Sequence, residues 1–177
     1  ALGELVKQGK VRQIGLSNET PWGTMKYLEL AETKSLPRVA SIQNAYNLVN
    51  RGFEIGLSEV AMHEQVGLLA YSPLAQGTLT GKYLGGQMPQ GSRLALFGDG
   101  PLMMRYKGDK TQQAIEMYVN LAKKYEIDPA QLAIQFCNIQ PFVTSTIIGA
   151  TTMEQLKTCI DSVDLDITKD IMNEIRG

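Results

Sequence analysis

The sequence predicts an α/β fold in which helices connect parallel strands. Four short segments rich in aliphatic residues alternate with longer segments whose apolar residues recur at helical spacing. Strands that run parallel need such crossovers, so the alternation favours a parallel sheet. The length of 177 residues is that of about one domain, with 44% hydrophobic residues to build its core.

Strand boundaries follow from composition and from the turn residues that flank each segment. Strands are predicted at residues 11–17, 39–42, 66–71 and 142–148. The third of these is apolar throughout, which is typical of a strand that is covered on both faces.

Helix boundaries are marked by capping residues. Thr20 before Pro21 and Asp128 before Pro129 each place a side-chain acceptor and a proline at the start of a helix. Helices are predicted at residues 21–34, 54–65, 110–125, 128–139, 151–163 and 168–175. Residues 2, 5 and 6 also have helical spacing, so we expect the chain to begin inside a helix, as a fragment of a longer protein would.

Residues 75–109 contain eight glycines and two prolines and are predicted to be irregular. A loop of this length within a compact domain tends to be functional or mobile.

Two architectures remain open at this point. A doubly wound sheet accommodates four strands. A (β/α)8 barrel needs eight strands, twice the predicted number, and about 250 residues.

Composition excludes several classes of function. The formal net charge of −1 gives no excess of positive charge for binding nucleic acid or anionic lipid. No apolar run approaches the ~20 residues of a membrane helix. Two cysteines and one histidine are too few for a disulfide scaffold or a multi-histidine metal site. We expect reduced cysteines, a cytoplasmic location, and neither a nucleic-acid nor a membrane partner.

Polar residues follow the predicted strands at their carboxyl ends, where α/β proteins bind ligands. Ser17 and Asn18 follow the first strand, Gln43 the second, and Tyr71 and Ser72 the third. Neutral amides and hydroxyls beside an aromatic face suit a planar ligand that carries a carboxamide. Turn and capping roles are the alternative, and they apply better to Ser17 than to Gln43.

A second set of residues suits an anion such as phosphate. Gly149 and Thr151 precede a predicted helix, whose free amides attract anions. Lys82 and Arg93 lie in the glycine-rich segment, where solvated loop charges are the alternative interpretation. The sequence has neither GxGxxG after a strand nor GxxxxGK[ST], so the Rossmann fingerprint and the P-loop are both absent.

Five segments, in this order along the chain, resemble the motifs of the aldo-keto reductase family. They are GKVRQIGLSN at 9–18, IQNAYN at 42–47, LAYSPL at 69–74, GTLTGKY at 77–83 and IGATTMEQL at 148–156. Within the family, the chain is most similar to the bacterial Tas-type branch, which is related to the voltage-gated potassium channel β subunits. The resemblance covers essentially the whole chain.

The resemblance implies a (β/α)8 barrel that binds NADP(H) in extended form and reduces aldehydes or ketones to alcohols. Residues 1–177 then correspond to the C-terminal half of the barrel, about strands five to eight with their helices, including the long glycine-rich loop at 75–109. The family's catalytic Asp, Tyr, Lys and His lie in the first half, so no catalytic role is assigned here. The alternative is a nucleotide-binding or regulatory half-barrel without turnover.

By position, the resemblance assigns parts of the cofactor to particular residues. The nicotinamide carboxamide is expected at Ser17, Asn18 and Gln43, with Tyr71 stacked on the ring. The pyrophosphate is expected at Ser72, Leu74 and Gln76. The adenosine 2′-phosphate is expected at Lys82, Arg93, Thr151 and Gln155. Where the family usually has Glu and Asn in contact with adenine, this chain has Thr158 and Cys159.

A half barrel would leave two strand edges unpaired and one face of the sheet uncovered. Apolar residues of that inner face are expected to contact water. We therefore expect the chain to self-associate or to pair with an N-terminal half, and to act on a small carbonyl compound once the barrel is complete.

Overall fold

The computed structural model describes residues 1–98 and 100–177; residue 99 and the side chain of residue 102, both within the predicted loop at 75–109, lie outside the described set. The sheet consists of β1 (Ile14–Ser17), β2 (Val39–Ala45), β3 (Gly67–Tyr71) and β4 (Val143–Thr146). The helices are α1 (Leu2–Lys7), α2 (Pro21–Thr33), α3 (Leu57–Glu64), α4 (Arg93–Phe97), α5 (Pro101–Met104), α6 (Asp109–Lys124), α7 (Pro129–Asn138), α8 (Met153–Asp161) and α9 (Lys169–Arg176). None of these helices is long and apolar enough to cross a membrane.

All four strands are parallel and lie side by side in chain order. Ser17 pairs with Gln43, and Ala45 pairs with Tyr71, so the carboxyl ends of β1, β2 and β3 meet at one edge of the sheet. A doubly wound sheet reverses its strand order at a switch point, and the described strands show no reversal. Of the two architectures that the sequence left open, sequential order fits the barrel type.

The predicted strands are present, with changes at their ends. β1 begins at Ile14 rather than at residue 11, because its ladder starts where Ile14 meets Val39. β2 is longer than predicted and continues to Ala45. β4 is shorter, because its pairing with β3 ends where Thr146 meets Ala70. Apolar composition located the strands, but backbone pairing decides their length.

Two predicted helix starts are confirmed by their caps. The side chain of Thr20 accepts a hydrogen bond from the Gly23 amide at 3.0 Å, and that of Asp128 accepts one from the Ala130 amide at 2.7 Å. The helix predicted from residue 54 begins later, at Leu57, after a separate 3₁₀ turn. Local capping chemistry thus fixes α2 and α7 well, because both signals lie within three residues of the boundary.

The segment 75–109 is more ordered than predicted. It contains 3₁₀ turns at Ala75–Thr80 and Leu84–Gly86 as well as the short helices α4 and α5. Ser92 caps α4 by accepting a hydrogen bond from the Ala95 amide at 3.3 Å. The prediction of an irregular loop was therefore wrong in part: its glycines separate short helical turns.

The hydrophobic core lies on one face of the sheet. Ile42, Leu68 and Ala70 point to this face and are fully buried. They belong to one cluster with side chains of α6 and α7, among them Val119 and Phe136. Burying these apolar side chains stabilises the fold by roughly 25 cal/mol per Å² removed from water.

The opposite face, here called the inner face, carries small and polar residues. Gly15, Ser41 and Gly67 line it where β1, β2 and β3 pair, and Gln43 is exposed beside them. A β-carbon on Gly15 would lie 2.8 Å from Ser41 Oγ, so a larger residue would force Ser41 to shift. One expectation fails here: β3 is fully buried on one face only, because Gly67, Leu69 and Tyr71 are half-buried. Leu69 is an apolar residue of the inner face that is partly exposed, as expected.

A buried polar cluster anchors the segment that follows β2. Tyr46 is fully buried, its hydroxyl donates to Glu54 Oε1 at 2.6 Å, and its ring packs on Phe136 with 5.8 Å between centroids. Arg51 donates to both carboxylate oxygens of Glu54, at 2.7 and 2.8 Å. Partial burial raises the pKa of Glu54, but the hydrogen bonds from Arg51 and Tyr46 outweigh it and hold that pKa below its usual range.

We expect Glu54→Gln to lower the free energy of unfolding at neutral pH by about 1–3 kcal/mol, the range for hydrogen bonds to charged groups. The folded pKa of Glu54 lies below the unfolded value of about 4.3, so its contribution is complete above that value and is lost as the pH falls through the folded pKa. Urea unfolding should show the difference from wild type at neutral pH and its decrease in acid. Glu116→Gln, at an exposed position of α6, is the control, and a pH-independent difference for Glu54→Gln would contradict the assignment.

We expect the 177-residue chain by itself to associate. β1 and β4 form the edges of the described sheet, and their unpaired backbone groups can pair with another chain. Light scattering at micromolar concentration should therefore give a mass above 19.5 kDa. A monodisperse species near 19.5 kDa with cooperative thermal unfolding would contradict this prediction.

Candidate functional site

Four residues predicted to contact the nicotinamide, three at its carboxamide and Tyr71 on its ring, lie together at the carboxyl edge of the sheet. The Tyr71 hydroxyl donates to Asn18 Oδ1 at 2.8 Å, and Asn18 Nδ2 donates to Ser17 Oγ at 3.1 Å. The backbone amide of Asn18 donates to the carbonyl of Gln43 at 3.0 Å. The structure thus joins Ser17, Asn18, Gln43 and Tyr71 in one group, while their role as a cofactor site stays a prediction.

The turn after β1 depends on the unusual backbone conformation of Asn18. Its φ is 55°, in the left-handed region that asparagine tolerates better than most residues. This conformation turns the chain directly after Ser17 and brings the Asn18 amide group to the Tyr71 hydroxyl. The side chain of Gln43 is exposed and Tyr71 is half-buried, so a ligand at this edge can reach both.

A second group of residues lies on the turn that follows β3. Gln76 Nε2 donates to Ser72 Oγ at 3.0 Å, and Arg93 Nη1 donates to Gln76 Oε1 at 2.8 Å. Leu74, also predicted here, is half-buried against the core. Ser72 and Gln76 have φ values of 54° and 62°, so the turn is held in a strained left-handed conformation.

Lys82 lies against the same turn. A β-carbon on Gly77 would lie 3.1 Å from Lys82 Nζ, and the φ of Gly77 is 92°, so only glycine fits both the backbone and the neighbour. The ammonium also lies 5.2 Å from the centroid of the Tyr83 ring. Arg93 donates to Gln76, and Lys82 lies beside Gly77. Two cations therefore lie against consecutive residues of one turn.

The third predicted group lies at the start of α8. Gln155 Oε1 accepts hydrogen bonds from the Thr151 amide at 2.9 Å and from the Thr151 hydroxyl at 3.1 Å. The Thr152 side chain caps the helix by accepting from the Gln155 amide at 3.2 Å. Gly149 is exposed, with open space where a side chain would be. This group is built from contacts within residues 151–155.

Three residues near the site were not predicted from the sequence. Asn47 is fully buried and donates to the carbonyl of Ser72 at 2.8 Å and to the hydroxyl of Tyr106 at 3.2 Å. Arg105 is exposed, and its hydrogen bond with Tyr71 raises its pKa above the usual range. Asn47 lies within a recognised segment of the sequence, but no local pattern links it to positions 59 residues away.

Two positions that depart from the family pattern have different environments. Thr158 is half-buried on α8. Cys159 is buried, and desolvation raises the pKa of its thiol. Among residues 1–98 and 100–177, no three His, Cys, Asp or Glu residues are placed to hold a metal ion. The described site offers hydrogen-bonding groups, the aromatic face of Tyr71 and the cations Lys82, Arg93 and Arg105.

A sheet of four sequential parallel strands, with a polar group of side chains at its carboxyl edge, defines the class of protein as α/β and fits the barrel type. Residues 1–177 match the profile of the Aldo/keto reductase family over their whole length. The chain belongs to that family of oxidoreductases.

Individual relatives agree with this membership. The chain is 53% identical to Protein tas of Escherichia coli strain K12 over 177 residues, covering 100% of the chain and 50% of that protein. It is 33% identical over 167 residues to the L-glyceraldehyde 3-phosphate reductase of the same strain, covering 93% and 48%. It is 36% identical over 114 residues to a probable voltage-gated potassium channel subunit beta of Oryza sativa subsp. japonica, covering 63% and 35%. The predicted family and branch are confirmed, and the chain spans about half the length of the first two relatives.

Proposed function

We propose that this chain is the C-terminal, cofactor-binding half of an NADPH-dependent aldo-keto reductase that reduces aldehydes or ketones to alcohols. The observation that carries the proposal is the hydrogen-bonded group of Ser17, Asn18 and Tyr71 at the carboxyl edge, with two cations on one turn beyond it. Four parallel strands in chain order support one half of a barrel. Coverage of about half of each of two relatives also supports a half barrel, and the assignment to strands five to eight rests on the family resemblance.

The nicotinamide end of the cofactor is assigned to the group around Tyr71. A carboxamide has an acceptor and two donor hydrogens, and the side chains of Ser17, Asn18 and Gln43 offer partners for both. The bond from Tyr71 to Asn18 orients the aromatic ring before a ligand arrives, which reduces the entropy lost on stacking. When bound, the cofactor supplies the hydride.

The phosphates are assigned to the other two groups. Ser72, Leu74 and Gln76 follow β3 and are placed along the pyrophosphate. Lys82 and Arg93 supply positive charge for the 2′-phosphate, and the planar guanidinium can bind two of its oxygens at once. The 2′-phosphate site is completed from the start of α8 by Gly149, Thr151 and Gln155, where the helix dipole favours an anion.

Carbonyl reduction also requires a proton at the carbonyl oxygen, so that hydride and proton together give the alcohol. The family resemblance places the proton donor in the first half of the barrel. The proposal therefore assigns cofactor binding to this chain and proton transfer to a first half that completes the barrel around the carbonyl substrate. A cytoplasmic location is part of the proposal and is supported by the two free, buried cysteines, Cys137 and Cys159.

Cofactor choice tests the proposal most directly. We expect tighter binding of NADPH than of NADH, and Arg93→Ala should weaken NADPH binding by about 1–3 kcal/mol, the range for charge-assisted hydrogen bonds. Titration of cofactor fluorescence measures both affinities. Arg38→Ala is the matched control, because Arg38 is an equally exposed cation that binds the Glu64 carbonyl near the start of β2.

A pair of glycine variants sharpens the same experiment. Gly77→Ala and Gly91→Ala both place alanine at a positive φ, 92° and 75°, but only the first displaces Lys82. Both should lose similar stability, and only Gly77→Ala should also weaken NADPH binding. Equal affinity of the wild type for NADPH and NADH would remove the basis for assigning Lys82 and Arg93 to the 2′-phosphate.

We expect no carbonyl reduction by the 177-residue chain alone, because no residue in it is assigned to the proton-transfer step. NADPH oxidation should be measured with a panel of aromatic and aliphatic aldehydes. Turnover well above the rate without enzyme, and abolished by Tyr71→Phe, would overturn this assignment. Cofactor binding without turnover even after a first half is supplied would instead favour a regulatory nucleotide-binding protein, the candidate that similarity to a channel β subunit supports.

A further inference from the structure

The side chain of Asn47 is buried near the candidate site. Its amide oxygen accepts one hydrogen bond and its amide nitrogen donates two. Asn47 and Asn50 exchange backbone hydrogen bonds at 3.1 and 3.0 Å, which closes a tight turn after β2. Within this turn, Oδ1 of Asn47 accepts from the Val49 amide at 3.1 Å. The oxygen is thus used locally, and both hydrogens of Nδ2 point away from the turn.

Those two hydrogens reach both ends of the long segment that carries the phosphate-binding residues. One is donated to the carbonyl of Ser72 at 2.8 Å, and the other to the hydroxyl of Tyr106 at 3.2 Å. Ser72 begins the segment directly after β3, and Tyr106 ends it shortly before α6. One amide therefore holds together two points that are 34 residues apart in the chain.

The environment of the two contacts makes them selective for asparagine. Asn47 is 0% exposed and Tyr106 is 2% exposed, so neither group can exchange its partner for water. An aspartate at position 47 would direct an acceptor at the Ser72 carbonyl, and an aliphatic residue would leave that carbonyl with only its hydrogen bond from the Ala75 amide, at 2.9 Å. The carbonyl of Tyr106 is held independently by Gln112 Nε2 at 2.5 Å.

The segment held in this way contains Gln76, Lys82 and Arg93. Fixing its two ends removes conformations in which these side chains lie away from the carboxyl edge. Ser72, whose φ of 54° is strained, is held by its own carbonyl bond to Asn47.

We propose that Asn47, through Tyr106, is a positioning residue for cofactor binding: it fixes the return of the 72–106 segment and so preorganises its anion-binding side chains. This inference rests on the proposed function for its effect on the cofactor. Its structural part, the closure of the segment by the Asn47 amide, holds without any ligand.

The test compares Tyr106→Phe with Tyr46→Phe in the complete chain of 177 residues. Both replace a fully buried tyrosine and remove its hydroxyl, but the Tyr106 hydroxyl accepts from Asn47 at the end of the segment, whereas the Tyr46 hydroxyl binds Glu54 in the core. Hydrogen exchange is followed by mass spectrometry without cofactor, and NADPH affinity is followed by fluorescence. Asn47→Asp is the stronger variant of the same contact, and Tyr106→Phe keeps the test valid if Asn47→Asp does not fold.

Tyr106→Phe should raise the exchange of amides in residues 72–83 and 100–106 and weaken NADPH binding by about fivefold, the factor that one hydrogen bond supplies. Tyr46→Phe should lower the melting temperature without either selective change. Exchange that rises uniformly in proportion to lost stability, or equally in both variants, overturns the inference. If the wild type binds no NADPH but the selective exchange is seen, the proposed function fails while the closure of the segment stands. If the selective exchange is seen but the NADPH affinity of Tyr106→Phe is unchanged, the positioning role is overturned.

Discussion

Helices cover one face of the four-stranded sheet with large apolar side chains. This asymmetry determines on which side of the sheet the candidate site lies. Leu68 and Ala70 alternate along β3 with Leu69 and Tyr71, so one pair is buried in the core while the other faces the inner side. Because all strands run parallel, the same alternation delivers Tyr71 and Gln43 to one edge on the uncovered side. The ligand site is therefore a direct product of the pleat and of strand direction.

The site is stiff because its backbone is held in conformations that an isolated chain would avoid. Asn18, Ser72, Ala75 and Gln76 all have positive φ, at a cost of order 1–3 kcal/mol each where the residue is not glycine. Hydrogen bonds from neighbouring side chains offset this cost, such as that from Asn47 to the Ser72 carbonyl. Among the described residues, the other non-glycine residues with positive φ, Ser35, Gln65 and Glu126, lie directly after helices. Strained residues directly after β1 and β3 are the pattern expected of a preorganised site.

Much of this arrangement could be predicted from the sequence, where its causes are local. Thr20 and Asp128 identified the starts of α2 and α7 because a cap and its amide partner lie within three residues. Ser17 and Gln43 were located because residues at the carboxyl ends of neighbouring parallel strands share one edge of the sheet. Contacts between Asn47 and Tyr106 could not be found in this way, since they depend on how a segment of more than thirty residues folds back. The same dependence hid the short helices of that segment.

The glycines of the inner face have a consequence for the volume of any partner that covers it. A β-carbon on Gly15 would lie close to Ser41, and one on Gly67 would overlap Thr144 Oγ1. A larger residue at either glycine would therefore require its neighbour to shift, and a surface packed against these glycines at normal protein density has to bring the bulk itself. A second copy of the chain would oppose small residues with small residues and leave a cavity, at roughly 24 cal/mol per Å³. Larger side chains on a different sheet would fill the same space, so shape complementarity favours a partner of unlike sequence over self-pairing.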